Sequence, residues 1–165
     1  MGKRVTTAPL PPGALLARYA DRDDCYTDCF TVTVDGPVDL PAYVEAFYTA
    51  WLFRIERQIL GLAGYRSTDV EARALARSGT DRFAAWTVED RSDSQLLMCD
   101  PSSATRSWLA VAPDEAGTRL YFGSAIVPPE PGRDLGTVYR ALLGFHKLYS
   151  RALLATARAR VIRTR

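Results

Sequence analysis

The chain has 165 residues, of which 47% are hydrophobic and 24% charged, and a net charge of +2. That length suits one domain burying ~70% of its unfolded surface, and the composition is too apolar for a disordered chain. No run approaches the ~20 apolar residues of a membrane-spanning helix, and the N-terminus lacks the apolar core of a signal peptide, so a soluble, cytoplasmic chain with no membrane span is expected.

Residues 1–24 carry Pro9, Pro11, Pro12 and Gly13 and then a charged cluster at 21–24, which reads as an irregular lead-in. Cys25 to Val34 alternates, with Tyr26, Phe30, Val32 and Val34 on one face and threonines on the other, and ends at Asp35-Gly36-Pro37. This is a half-buried strand. Cys25 and Cys29 would stand roughly 13 Å apart along it, too far for a disulfide, which fits a reducing compartment.

Asp39 is placed as a helix N-cap with Pro41 in the first turn. Leu40, Val44, Phe47, Tyr48, Trp51, Leu52, Ile55, Ile59 and Leu62 then follow at helical spacing. One long amphipathic helix closing near Gly61 or Gly64 is predicted. A shorter helix begins at Thr68, whose partner Glu71 completes a capping-box pattern, and stops at Gly79.

Four strand-like runs follow, at 82–91, 94–100, 104–112 and 118–127. Their short polar breaks make neighbours antiparallel, hence a meander and five strands in all. Pro128, Pro129, Pro131 and Gly132 close the sheet. The last helix is predicted over about 135–157, with Leu135, Val138, Tyr139, Leu142, Phe145, His146, Tyr149 and Leu153 on its apolar face. It is the element expected to cross the sheet. Arg160 interrupts that face, so the helix is expected to end its packing before it, leaving 25–157 as the domain and 158–165 as a basic tail.

No acid follows Asp134, while Arg140, Lys147, Arg151, Arg158, Arg160, Arg163 and Arg165 do, so the rest of the chain is net acidic. Cations suit a helix C-terminus, where the macrodipole is negative, and a basic end can also meet nucleic acid or anionic lipid. No specific nucleic-acid binding is expected.

The stretch Leu10-Pro11-Pro12-Gly13 leading to Tyr26-Thr27-Asp28-Cys29-Phe30, with Phe145-His146-Lys147-Leu148-Tyr149 in the last helix, resembles the START-like or polyketide-cyclase-like superfamily. More narrowly, it resembles a bacterial family of that type with no assigned activity. The resemblance implies an α+β helix-grip fold, a curved antiparallel sheet wrapped around a long C-terminal helix, with a pocket between them for an apolar or aromatic small molecule. Five strands, where larger members have six or seven, argue against a roomy cavity.

No phosphate loop, nucleophile elbow or paired-histidine motif is present. With one histidine, and Cys25 and Cys29 too far apart to share an ion, neither a metal nor a cofactor is expected. His146 reads either as a pocket acid or base or as a core-edge histidine bonded to a carbonyl. Asp28 shares the parity of Phe30, and if buried it needs a partner, with His146 or Arg106 the candidates. Trp86, Trp108, Tyr121 and Tyr149 are either ligand-lining aromatics or plain packing. A pocket, if formed, should lie between the inner sheet face and the helix segment bearing His146 and Tyr149, with Trp86 on its wall.

Two functions stay open. One is a small-molecule-binding domain, with cyclase- or isomerase-type acid–base chemistry within its scope. The other is a non-enzymatic interaction module with a filled core, in which a homodimer is one arrangement. A pocket of ~300 Å³ or more favours the first, and a large apolar surface patch the second.

Overall fold

The structure, a computed structural model, describes residues 4–128, 130 and 137–164, apart from the side chains of 137–143. In chain order the elements are β1 (Thr6–Thr7), α1 (Ala17–Ala20), β2 (Tyr26–Asp35), α2 (Leu40–Thr49), α3 (Trp51–Leu62), α4 (Asp69–Ala76), β3 (Arg82–Phe83), β4 (Trp86–Arg91), β5 (Gln95–Cys99), β6 (Thr105–Asp114), β7 (Gly117–Ile126) and α5 (Thr137–Arg163). The architecture is α+β, with a seven-stranded sheet ordered β1-β2-β7-β6-β5-β4-β3 and antiparallel throughout. The expected meander forms, and β2 closes on its last strand, pairing with β7 along its whole length.

The sheet has seven strands rather than five. Two short ones were illegible in sequence. β1 is an edge pair of threonines, and β3 is split from β4 by a two-residue turn at Ala84-Ala85, with Ala84 at φ 52°. Alanines carry no turn signal, so the run 82–91 read as one strand.

Both faces of the sheet are buried. Phe30, Val32, Val34, Leu96, Met98, Leu109, Leu120 and Phe122 pack into the core that also holds the buried residues of α2, α4 and α5. The lead-in segment covers the opposite, outer face. There Ala14, Leu16 and Tyr19 join Leu97, Trp108, Ala110 and Tyr121. Gln95 pins this cover, since its Oε1 accepts from Leu15 N–H (2.8 Å) and Trp108 Nε1 (3.0 Å) while its Nε2 donates to the Gly13 carbonyl (3.0 Å). Gly123 lets the cover approach: a Cβ there would stand 2.7 Å from Leu16 Cδ2 and 2.9 Å from the Trp108 ring. Residues 10–20 are thus part of the folded core.

The single long helix predicted from Leu40 to Leu62 is broken at Ala50, which is extended (φ −61°, ψ 148°). Asp39 caps α2 through Ala42 N–H (2.9 Å), as its sequence suggested. After the break Phe53 folds back onto Tyr48 and Phe47, with ring centroids 4.8 and 5.8 Å away. The predicted apolar stripe is then rotated outward: Trp51, Ile55, Ile59 and Leu62 are all exposed. The capping box of Thr68 and Glu71 starts α4 as expected.

α5 departs from expectation at both ends. Phe145 is 68% exposed, and its ring stacks on Tyr149 at 6.1 Å instead of entering the core. Leu135, Val138, Tyr139 and Leu142 lie outside the described residues or side chains. The buried part is the later half, where Ser150, Leu153, Leu154, Ala157 and Val161 are covered. The boundary expected at 157 is therefore not a structural one, because Val161 is 3% exposed and Arg160 Nε donates to Thr49 Oγ1 at 2.7 Å. An arginine can flank an apolar helix face when its stem packs and its head finds an oxygen.

Deleting residues 160–165 should lower the urea midpoint, with a loss of roughly 2–4 kcal/mol for one buried valine and one charged hydrogen bond. An unchanged midpoint would show that this last turn does not belong to the core.

Candidate functional site

The register of the sheet builds the site. Asp28 of β2 stands directly opposite Ser124 of β7, which stands opposite Ser107 of β6. One cross-strand row is therefore polar, between the apolar row Phe30–Phe122–Leu109 and the strand ends. All three side chains project to the inner face, because their parity is that of the core residues beside them.

Asp28 is 6% exposed at its side chain and accepts three hydrogen bonds. Its Oδ1 accepts from Ser124 Oγ (2.5 Å) and Ser124 N–H (3.2 Å), and its Oδ2 from the Tyr26 hydroxyl (3.1 Å). His146 Nε2 stands 3.2 Å from Oδ2 and 2.8 Å from Ser124 Oγ. With the serine proton on Asp28, Ser124 Oγ accepts from Nε2–H. Aspartate and serine thus meet the same ring nitrogen, whereas a nucleophilic triad needs them on opposite nitrogens. The cluster does not activate a serine. It fixes an imidazole at the rim, with a carboxylate to balance the ring whenever it is protonated.

Beside this cluster, between the sheet's inner face, α2, α3 and α5, lies a cavity of about 220 Å³. Phe47, Tyr48, Phe53, Trp86, Phe122 and Leu153 form its apolar wall. Ser107, Ser124, His146, Tyr149 and Glu56 bring polar groups to it. Tyr149 donates its hydroxyl hydrogen to Glu56. Burial raises the Glu56 carboxyl above its ordinary range, and the bond from Tyr149 only partly offsets this. Burial likewise raises Tyr149, reinforced by the charge of Glu56 and by the bond itself.

Of the predicted ligand-lining residues, Trp86, His146 and Tyr149 come together on this cavity, and Asp28 stands behind it. Trp108 and Tyr121 do not. They lie on the outer face with their rings 5.9 Å apart, because β6 and β7 present Leu109, Leu120 and Phe122 inward. Arg106, the other partner suggested for Asp28, bonds Glu89 (2.5 Å) and the Tyr19 hydroxyl (2.9 Å) instead. A bulge between Val88 and Asp90 interrupts the β4–β5 register at Glu89. Ser124, Ser107, Glu56 and Tyr48 were not foreseen. Ser124 carried the same signal as Asp28, a polar residue in phase with Leu120 and Phe122. Glu56 carried none, since an unbroken helix would have put it toward water.

No protein-family model matches the chain, and no curated protein matches it.

Glu56 makes a pH-dependent prediction. Below the ordinary carboxyl range both folded and unfolded chains hold its proton, so its burial has no pH-linked cost. As pH rises, the unfolded chain releases the proton first, and folding loses stability until the raised folded value is passed. Glu56→Gln should therefore stabilise the fold at pH 7 and have less effect at pH 3, as read by denaturation at both pH values. A gain of the same size at both would sink the argument.

Proposed function

We propose that the chain is a small-molecule-binding domain of helix-grip type, taking a compact apolar or aromatic ligand between the inner sheet face and α5. The observation that carries this reading is the 220 Å³ cavity, walled by aromatic rings and rimmed by the Asp28–Ser124–His146 cluster. At about 220 Å³ it falls short of the ~300 Å³ expected above for this reading, and its size limits the ligand. An apolar cavity of ~150 Å³ accepts benzene, and drug-sized sites begin at ~300 Å³, so a single ring or short branched chain fits best. The START-like resemblance supports the same reading, since the order of strand, helices, antiparallel meander and C-terminal helix is the superfamily's. Within this reading His146 is the group placed for cyclase- or isomerase-type acid–base chemistry, with Asp28 and Ser124 positioning it.

Single-ring aromatics titrated against tryptophan fluorescence should give saturable quenching that disappears in Trp86→Phe and weakens in His146→Ala. The other tryptophans are poor reporters of the site: Trp108 is buried on the outer face and Trp51 stands on α3 in solvent. No saturable signal across a broad panel, with Trp86 already shielded from acrylamide, would remove the ligand-binding reading.

The exposed stripe of α3 favours a second reading, an interaction module. Trp51, Ile55, Ile59 and Leu62 are 58%, 49%, 63% and 91% exposed and share one helix face. If that face pairs two copies, sedimentation should show a dimer that Ile55→Glu and Ile59→Glu dissociate without lowering the thermal midpoint. A monomer at every concentration would count against self-association.

A further inference from the structure

The acidic and basic residues of the cavity lining are Glu56, Arg106 and His146. Arg106 is engaged by Glu89 at 2.5 Å, and His146 stands 3.2 Å from Asp28, so each basic group has its own carboxylate. Glu56 has no basic partner among the described residues. Its Oε2 accepts from the Tyr149 hydroxyl, while its Oε1 bonds no described residue and is not closed off from solvent. Asp28, by contrast, accepts three hydrogen bonds. Glu56 is thus the acid of this cavity that the protein itself leaves uncompensated.

The wall around that carboxyl is aromatic. Phe47, Phe53, Trp86, Phe122 and Tyr149 all line the cavity, and Phe47 stands 5.1 Å from Phe122 and 5.8 Å from Phe53, ring centre to ring centre. Aromatic faces carry a negative quadrupole that attracts a cation, most strongly out of water, and aromatic cages hold quaternary ammonium groups in this way. Rings and carboxyl therefore favour the same sign of charge.

We infer that the ligand is a compact ammonium compound, its methylated or short-chain head seated among the rings and its charge met by Glu56. This inference rests on the ligand-binding reading and adds to it the charge of the ligand. An anionic ligand would meet Glu56 while both basic groups of the lining are already engaged. A hydrocarbon would cover Glu56 without a partner, which is unfavourable unless the carboxyl keeps its proton. An ammonium takes the place of that proton, which leaves to solvent, and ion pair and ring contacts form together.

The test pairs choline with 3,3-dimethylbutan-1-ol, its isostere with carbon in place of nitrogen, so that charge alone separates them. Affinities are measured by calorimetry at pH 7 and fixed ionic strength, for wild type and Glu56→Gln. Choline should bind wild type roughly tenfold more tightly than the alcohol, and Glu56→Gln should remove most of that ratio, the size of one bond to a charged group. If the alcohol binds wild type as well as choline does, or if the ratio survives in the variant, this inference fails while the ligand-binding reading stands. The same holds if neither binds but single-ring aromatics do. If none of them binds, both fail. Should Glu56→Gln fold poorly, the methyl proton resonance of choline titrated with wild type decides. A saturable upfield ring-current shift supports a head seated among the rings, and an unshifted line overturns it.

Discussion

A sheet that is apolar on both faces must be covered on both, and the rest of this structure follows from that requirement. The runs Leu96-Leu97-Met98 and Trp108-Leu109-Ala110 send successive residues to opposite faces, and none of them reaches water. Helices α2, α4 and α5 supply one cover, and the proline-rich segment before β2 supplies the other. Gln95 holds that second cover by two hydrogen bonds, to Leu15 and Gly13, and is itself oriented by a third from Trp108. The half-buried sheet usual in antiparallel folds, with one wet face, is not an option for these strands.

Against that background the polar row Asp28–Ser124–Ser107 is the exception to explain. An isolated carboxylate under a helix layer would be strongly unfavourable, and Asp28 is tolerated because three hydrogen bonds converge on it. Two of the three come from its own cross-strand neighbour, so the β2–β7 register is both what creates the site and what stabilises it. A slip of β2 by one residue would turn Asp28 to the outer face and leave Ser124 facing the core without it. Fold and site are specified together here.

Much of this was legible in the sequence. Alternation in β2, the caps at Asp39 and Thr68, the meander and the C-terminal helix all follow from local chemistry that the structure repeats. The inward phase of Trp86 was readable by parity. What could not be read were features set by long-range packing. Trp108 and Leu109 offered two equally apolar faces, and only the position of the N-terminal cover assigns each to its side. Arg160 looked like the end of an amphipathic face because nothing local shows that Thr49 waits for it. The break at Ala50 has no glycine or proline to announce it. With it, Phe53 packs against the rings of Tyr48 and Phe47.

That break bears on function more than any other departure. At ~100° per residue, Phe53 falls opposite Trp51, Ile55, Ile59 and Leu62 on α3, and Glu56 lies to the side, roughly 100° from the centre of that stripe. The helix therefore buries a carboxyl and shows four large apolar side chains to solvent, the reverse of what burial alone selects. A straight continuation of α2 would have turned the stripe toward the core and Glu56 toward solvent, at the loss of the ring contacts of Phe53. The break thereby shapes both surfaces on which the two proposed readings rest: a cavity wall that carries Glu56 on one side, and an exposed apolar face on the other.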